Sequence, residues 1–268
     1  MTKLSIITVN YNNCDGLKRT IESIVCQTSR GFEWIIIDGG STDGSKELIE
    51  QYQEHFAYWC SEPDKGVYNA MNKGIAKAKG DYCLFMNSGD YLANEQVIEK
   101  CVPHLREKDF ISGDTITIRQ NGEKGEWKAF RNFTAYAIVK YSMSHQSTFI
   151  RTDLLKKRPY REDLKIISDW EQQLFELVFH DATYTYLPFV VSVFCEGGLS
   201  WTETEKHHNE RATVTKEYFS DRLLSSVIGD NELKEIVNHI DYNTPLYKWC
   251  LWGVKVIRKL SNLFSGKQ

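Results

Sequence analysis

The sequence predicts an α/β protein with a mostly parallel, twisted sheet flanked by helices and followed by a helical C-terminal extension. Apolar, strand-like runs alternate with helical patterns through the first 108 residues, and from about residue 203 the pattern is helical alone. Repeated strand–helix units favour a doubly wound parallel sheet. The 268 residues, 41% hydrophobic and 26% charged, are sufficient for one such folded domain with an extension.

The first half supplies the elements of the parallel sheet. The run at 4–9 is continuously apolar, as in a strand that is buried on both faces. Further strands are expected at 32–38, 57–61 and 81–86. Helices are expected after a cap at Asp15, after a cap at Ser41 or Asp43, at 67–78 with Gly80 as the C′ glycine, and at 97–105, where Pro103 would shorten the helix.

The alternation breaks after residue 108. Asn121-Gly122 indicates a hairpin turn, and short strands are expected at 147–150 and at 184–194, where Pro188 favours an edge or a bulge. A helix should begin at Asp169. No linker separates the two halves, so they are expected to form one globule with a helical tail.

Composition excludes several classes of protein. A formal net charge of −3 argues against a dedicated nucleic-acid binder. Seven scattered cysteines without a CxxC pair argue against a zinc ribbon or a disulfide framework, and favour a reducing, cytoplasmic setting. The apolar run near the N-terminus is too short for a signal peptide, and no run has the length of a transmembrane helix.

Three polar clusters follow predicted strands, at 10–13, 38–44 and 87–90. Right-handed crossovers would bring them to one edge of the sheet, where ligands of such folds bind. The chain has no GxxxxGK[ST] loop, and its glycines are misplaced for GxGxxG. This excludes a dehydrogenase or a phosphate-loop enzyme and favours a divalent cation as the means of holding phosphate.

Four segments in a fixed order carry a family resemblance: "SIITVNYN", "IIIDGGSTDGS", "SEPDKGVYNAMNKGI" and "FMNSGD". Together they resemble a family 2 glycosyltransferase with the GT-A fold, a Rossmann-like sheet. The resemblance covers roughly residues 3–92 and continues more weakly at "HQSTF", "SDWE" and "EGGLS". It implies inverting transfer of a hexosyl or N-acetylhexosaminyl group from a nucleotide diphosphate sugar, a UDP-sugar above all. The implied acceptor is a glycan or lipid-linked hydroxyl in the assembly of bacterial surface polysaccharide.

The resemblance also implies roles at the nucleotide. Asp38 would accept a hydrogen bond from the base, Tyr11 would stack on the base, and Val9 would contact it through its backbone. Asp64 and Lys65 would approach the ribose and the diphosphate. An acid that accepts a uracil N–H favours a pyrimidine nucleotide.

At the reaction centre, the resemblance makes Asp90 the direct ligand of Mg²⁺ or Mn²⁺ and Asp169 the catalytic base. Many relatives carry acids where this chain has Asn87 and Gly89. One carboxylate can suffice, because magnesium keeps several waters and takes further ligands from substrate phosphates. Asn87 would bind a ribose or a metal-bound water. Contacts with the acceptor or the donor sugar are assigned to His145, Gln146, Trp170 and Glu171.

Local sequence leaves other interpretations open. The segments 38–40 and 87–90 also suit plain turns, Asp169 also suits a helix cap, and His145 and Trp170 also suit structural roles. Two other functions remain. A sugar-1-phosphate nucleotidyltransferase would carry a basic loop after the first strand, whereas no Arg or Lys separates that strand from Lys18. A non-catalytic protein would bind the nucleotide sugar without turnover.

The chain is expected to comprise a donor-binding part at 1–110, an acceptor-binding and catalytic-base part at 111–202 and a helical tail at 203–268. In the tail, residues 245–268 form a basic amphipathic pattern with two tryptophans, Trp249 and Trp252. Such a helix can lie in a membrane interface or pack on the domain. The resemblance favours peripheral contact with the inner face of the cytoplasmic membrane.

Overall fold

The computed structural model describes residues 3–106, 108–198 and 203–227. Its strands are β1 (Leu4–Asn10), β2 (Phe32–Asp38), β3 (Tyr58–Ser61), β4 (Tyr82–Phe85), β5 (Tyr91–Leu92), β6 (Phe110–Ile118), β7 (Lys124–Trp127), β8 (Thr148–Arg151) and β9 (Tyr184–Cys195). Its α-helices are α1 (Cys14–Val25), α2 (Ser45–Gln51), α3 (Val67–Lys77), α4 (Val97–Cys101), α5 (Ala135–Lys140), α6 (Thr152–Lys157), α7 (Ser168–Leu174) and α8 (Thr204–Tyr218). Short 3₁₀ turns lie at Gln53–His55, Val102–His104 and His145–Ser147, and a π-helical turn, Phe175–Phe179, extends α7.

The strands form one sheet in the order β3-β2-β1-β4-β8-β6-β9-β5, with β7 paired to β6. The strands β3, β2, β1 and β4 run parallel, as predicted for the first half. The second half adds β8 and β6 in antiparallel pairs, and β9 runs parallel to β6. Because β8 is antiparallel to β4, the turn before β8 lies beside the end of β4. The sheet therefore brings residues near 145 close to the polar turn that follows β4.

Burial explains why β1 is the centre of the parallel half. All seven residues of β1 are buried, and the polar Thr8 is satisfied there by the indole of Trp34, whose Nε1 donates at 3.0 Å. Helices α1 and α3 each turn an apolar face inward. Gly80 is not the C′ glycine of α3, because Ala78 already leaves the helix in an extended conformation. A Cβ at Gly80 would lie 2.6 Å from the backbone of Leu4, so close packing explains this glycine.

The structure corrects the predicted helix caps. Asn13, not Asp15, caps α1, since its Oδ1 accepts from the backbone N–H of Gly16 at 3.2 Å. Gly44 is the N-cap residue of α2. Asp43, which precedes it, accepts from the N–H of Ser45 at 3.1 Å. Ser41 is bound elsewhere, as described below.

Other local predictions are confirmed. Residues around Asn121-Gly122 connect β6 and β7 as a hairpin, with Gly122 at φ 83°. Pro103 lies in the 3₁₀ turn that follows the short α4. Pro188 lies at a bulge, where the pairing of β6 with β9 shifts register after Gly113.

Contacts divide the chain into two units, 1–215 and 216–268, with the boundary inside α8. In the second unit the described backbone is helical again over 221–227. The amphipathic pattern predicted at 245–268 lies outside the described residues and stays a prediction. Within the described ranges, no helix combines the length and the apolar character needed to cross a bilayer.

Candidate active site

The three polar clusters meet at the carboxyl ends of β1, β2 and β4, as the sequence predicts. Asn12 Oδ1 accepts from the N–H of Thr42 at 2.9 Å, which joins the first cluster to the second. Asn13 Nδ2 donates to the carbonyl oxygen of Ser88 at 2.9 Å, which joins the first to the third. The N–H of Ser88 also donates to the carbonyl of Val9 at 3.0 Å. Val9 itself is buried, and its carbonyl faces this turn.

Asp38 is fully buried, and five groups in the described part of the chain donate to its carboxylate. Oδ1 accepts from Asn10 Nδ2 at 2.7 Å and from Ser41 Oγ at 2.6 Å. Oδ2 accepts from Ser61 Oγ at 2.7 Å and from the N–H groups of Gly40 and Ser41 at 3.2 and 2.9 Å. Burial raises the pKa of Asp38, but these bonds outweigh it and hold the pKa below its ordinary value. A base N–H can bind Asp38 only when one of the serine hydroxyls turns away.

Tyr11 presents an exposed aromatic face, 66% accessible, beside Asp64. A Cβ at Gly39 would lie 3.1 Å from Tyr11 Cδ2 and 2.6 Å from Asp64 Oδ2, so these two side chains flank Gly39. Asp64 Oδ1 accepts from the N–H of Gly66 at 2.8 Å, which fixes the turn into α3. Lys65 lies exposed in that turn. The arrangement offers a platform on which a flat base can stack.

Asp90 ends the turn after β4 and is 7% exposed. Gly89 at φ 106° allows this turn, and the Thr20 hydroxyl anchors it by donating to the carbonyl of Asp90 at 2.7 Å. The Asp90 carboxylate accepts a backbone N–H bond from Cys195 at 3.3 Å. Burial raises the pKa of Asp90 to about 7, although His145 and the Cys195 bond oppose the rise.

The side chains of Asn87, His145, Asp169 and Tyr68 form a continuous chain of hydrogen bonds. Asn87 Nδ2 lies 3.2 Å from His145 Nε2, and His145 Nδ1 lies 3.0 Å from Asp169 Oδ2. Tyr68 donates to Asp169 Oδ1 at 2.7 Å, and its hydroxyl also lies 2.6 Å from the carbonyl of Ile166. Asp169 is thus held on both oxygens, each time from a different element.

Within this series of hydrogen bonds, Asp169 and His145 stabilise each other's charged forms. Burial raises the pKa of Asp169, but bonds from His145 and Tyr68 outweigh it and leave the pKa lowered. Burial lowers the pKa of His145, but the neighbouring Asp169 and Asp90 outweigh it and leave the pKa raised. An ionised Asp169 is a hydrogen-bond acceptor, so His145 carries a proton on Nδ1.

The residues at this turn suit a hard divalent cation. Asp90 has a carboxylate with a single protein donor described, and Asn87 Oδ1 is a buried acceptor without a partner in the described part of the chain. Two such oxygens fit Mg²⁺ or Mn²⁺, which take further ligands from water and from substrate phosphates. Among the described residues, no cluster of three His, Cys, Asp or Glu side chains is arranged to hold a metal by itself.

Two assigned contacts with sugars are wrong. Trp170 is 1% exposed, donates its Nε1 to the carbonyl of Ile138 at 2.6 Å and packs its ring under Arg211, 4.3 Å from the ring centre. Glu171 is 0% exposed and is paired with Arg158. Neither side chain can reach a sugar in this structure. Gln146 is also buried, at the start of β8, and a sugar contact by Gln146 stays a prediction.

Two residues at the site were not anticipated from the sequence. Tyr68 was missed because its spacing in α3 matches the apolar face of that helix, and its partner Asp169 lies 101 positions away. Ser61 was missed because it ends the short strand β3 and opens the segment "SEPDKGVYNAMNKGI", in which the resemblance gave roles only to Asp64 and Lys65. Both residues lie in that quoted segment, which was therefore the available signal, but the segment does not indicate which of its side chains face the site.

Comparisons with known proteins agree with this geometry. The family model described as "Glycosyl transferase family 2" matches residues 5–162, more than half of the chain. An uncharacterised glycosyltransferase of Mycobacterium tuberculosis is 36% identical over 176 residues, which cover 63% of this chain and 66% of that protein, just under two thirds of its length.

Two solved structures are similar in fold. Staphylococcus aureus TarS 1-349 in complex with UDP superposes with a TM-score of 0.64 at 18% identity, over 85% of this chain and 70% of that one. The mannosyltransferase PcManGT of Pyrobaculum calidifontis, in complex with GDP-Man and Mn²⁺, gives 0.62 at 13% identity, over 99% of this chain and 81% of that one. The fold is therefore the predicted GT-A fold, and the chain belongs to glycosyl transferase family 2.

Proposed function

We propose that this protein transfers a sugar from a nucleotide diphosphate sugar, a UDP-sugar, to an acceptor hydroxyl with inversion at the anomeric carbon. One observation carries the proposal. The carboxylate of Asp169 is held ionised by Tyr68 and His145, and His145 in turn contacts Asn87 in the turn that ends at Asp90. The imidazole of His145 therefore links the candidate base, Asp169, to the residues that suit a cation and a diphosphate.

The chemistry follows from this arrangement. The acceptor hydroxyl is a weak nucleophile, and a carboxylate that takes its proton as the new bond forms activates it. The new glycosidic C–O bond forms while the bond from the anomeric carbon to the diphosphate oxygen breaks, and the electron pair leaves with the nucleoside diphosphate. The proton goes to Asp169. A single displacement of this kind inverts the configuration.

Asp90 and Asn87 would hold the divalent cation, Mg²⁺ or Mn²⁺. When bound, the cation offsets the negative charge that develops on the diphosphate leaving group. The Mn²⁺ complex of the similar mannosyltransferase supports a divalent cation in this fold. The contacts with the nucleotide base would come from other residues. Tyr11 provides a stacking face, and the hydroxyls of Ser41 and Ser61 can turn to let Asp38 accept a base N–H.

The UDP complex of the similar TarS chain supports a uridine donor. The resemblance stated above suggests a hexosyl or N-acetylhexosaminyl group and a glycan or lipid-linked acceptor. Such an acceptor would bring the enzyme to the inner face of the cytoplasmic membrane, with the tail as the proposed contact.

The test is slow hydrolysis of nucleotide sugars by purified full-length protein, with UDP-, GDP- and dTDP-sugars and with either metal or excess EDTA. We expect a UDP-sugar to be hydrolysed only with metal. Asp169→Asn should lower turnover by roughly 10² or more, the usual scale for loss of a general base, with UDP affinity nearly unchanged. Tighter binding of GDP than of UDP would overturn the uridine assignment. UDP binding without turnover under any acceptor would favour the non-catalytic alternative, and formation of UDP-sugar from UTP and a sugar 1-phosphate would favour the nucleotidyltransferase.

A further inference from the structure

A small cleft of about 160 Å³ lies beside the candidate base. Its wall comprises the turn into α3, the segment just before α7 and one residue of α8. Tyr68, which donates to Asp169, is one of the lining residues. Tyr68 therefore connects the cleft to Asp169, the carboxylate that is proposed to take the acceptor proton.

Three lysines line this cleft, namely Lys65, Lys165 and Lys206. Lys165 Nζ donates to the carbonyl of Glu162 at 2.9 Å, which leaves further ammonium protons for a ligand. Lys206 is about half exposed and lies 3.6 Å from Glu203, a loose surface pair. No described group bonds to Lys65 Nζ. Three lysines from three different segments thus line one small space.

The acids nearby are already satisfied by other groups. Glu162 accepts from Asn69 and Asn72 at 2.9 and 3.0 Å, so its carboxylate is turned towards α3. Glu210 of α8 accepts from the backbone N–H groups of Lys165 and Ile166 at 2.9 and 3.0 Å. Glu162 itself lines the cleft. The bond from Asn72 lowers its pKa, and Lys65 and Lys165 help to lower it, but three lysines face this one carboxylate in the lining. The lining favours an anion.

The position of the cleft indicates which substrate it serves. Asp169 is contacted on Oδ2 by His145, which leads to Asn87 and Asp90, and on Oδ1 by Tyr68, which leads to the cleft. An inverting reaction needs the acceptor on the side of the anomeric carbon opposite to the leaving diphosphate. The cleft lies beyond Tyr68 from the candidate base, and of its three lysines only Lys65 belongs to the residues assigned above to the donor, so Lys165 and Lys206 are available to the acceptor.

The extent of the family match also separates residues assigned to the donor from part of the cleft lining. The family match ends at residue 162, whereas Leu164, Lys165 and Lys206 lie beyond it. Residues that hold the donor lie within the matched part. The part of the lining outside the family match, supplied by Leu164, Lys165 and Lys206, is where this chain can recognise an acceptor of its own, while the other six lining residues lie within the match.

We propose that this cleft binds a phosphate group carried by the acceptor. The inference rests on the proposed function in naming the ligand as acceptor, because the cleft itself shows only a preference for an anion. A phosphate held by Lys165 and Lys206 would orient the acceptor hydroxyl towards Asp169. Charge-assisted bonds from lysine ammonium groups to phosphate oxygens are the chemistry of recognition.

The experiment measures binding of glycerol 3-phosphate to full-length protein already saturated with UDP and Mg²⁺, by calorimetry or by NMR titration. Saturation closes the donor site, so the added phosphate can bind only elsewhere. We expect binding that weakens about 5-fold in Lys165→Gln and in Lys206→Gln, and about 25-fold in the double variant, with UDP affinity unchanged. Glycerol, which has no phosphate, should not bind.

The matched control is Lys46→Gln/Lys100→Gln, which removes two exposed lysines outside the cleft and should leave both affinities unchanged. Absence of glycerol 3-phosphate binding to the UDP-saturated protein would overturn the proposal. Equal loss of UDP and glycerol 3-phosphate affinity in the Lys165 and Lys206 variants would also overturn it, by assigning the cleft to the donor diphosphate. UDP-sugar hydrolysis, measured on the same samples, tests the proposed function separately.

Discussion

His145 Nδ1 lies 3.0 Å from Asp169 Oδ2, and the two side chains are largely buried together. The same imidazole lies 3.2 Å from Asn87 through Nε2. His145 therefore positions the candidate base and links it to the turn that holds Asp90. This role differs from the sugar contact assigned from sequence, because both ring nitrogens are already used within the protein.

Two substitutions separate the two sides of this ring. The amide nitrogen of Asn can replace Nδ1 as the donor to Asp169, and the amide oxygen of the longer Gln can replace Nε2 as the acceptor from Asn87 Nδ2. We expect His145→Asn to keep most of the turnover and His145→Gln to lose roughly 10–100-fold in kcat, the scale for residues that orient reacting groups, with the donor KM unchanged in both. Steady-state hydrolysis or transfer kinetics provide the measurement. Equal losses in kcat would show that the bond to Asp169 is not what matters.

Asp90→Ala tests the cation assignment. Among the described residues, the Asp90 carboxylate has one long backbone bond, so its loss should leave the thermal midpoint nearly unchanged while transfer is abolished. In the wild-type protein, UDP with Mn²⁺ should raise the midpoint more than UDP alone, because a ligand that binds the native state stabilises it. This metal-dependent increment should vanish in the variant. An increment that survives Asp90→Ala would remove Asp90 from the metal site.

Asp38→Asn tests the buried hydrogen-bond network around Asp38, where the nucleotide base is proposed to bind. The pKa of Asp38 is lowered on folding, so its contribution to stability is present above the unfolded value near 4 and is lost as pH falls through the lowered folded value. An amide would oppose donors such as Ser61 with donors of its own. We expect a destabilisation of about 2–3 kcal/mol at pH 7 that shrinks towards pH 3, measured by urea unfolding. A difference that is the same at both pH values would contradict the linkage.

Arg211→Leu tests whether α8 supports the catalytic elements. The Arg211 guanidinium stacks on Trp170 and donates to the carbonyl of Val139 at 3.0 Å. Its loss should cost about 1–3 kcal/mol in stability and reduce kcat without changing UDP affinity, because Trp170 is the neighbour of Asp169. Arg211→Lys keeps the charge but loses the planar guanidinium, so its stability and kcat should lie between those of the wild-type protein and those of Arg211→Leu. A wild-type kcat in Arg211→Leu would show that α8 only covers the domain.

The sequence predicts the parallel half of the sheet and the convergence of its polar clusters, because strands buried on both faces appear as continuous apolar runs. It does not predict which residues of a short motif face the site. In "SDWE", successive helical positions differ by about 100°, so Asp169 can face the site while Trp170 and Glu171 are buried. Contacts such as Tyr68 with Asp169 depend on how α3 and α7 pack, and no local pattern contains that information.

The hydroxyl of Tyr68 has one proton and two acceptors, the carbonyl of Ile166 at 2.6 Å and Asp169 Oδ1 at 2.7 Å. Burial holds the pKa of Tyr68 well above its ordinary value, so the hydroxyl keeps that proton. While Asp169 is ionised, the proton can point to the carboxylate. Once Asp169 has taken a proton, the hydroxyl can rotate to Ile166 and receive the new O–H of Asp169 on its own lone pair. Both protonation states of the base are thereby hydrogen-bonded, and the exchange between them requires only the rotation of one hydroxyl, with no movement of a heavy atom.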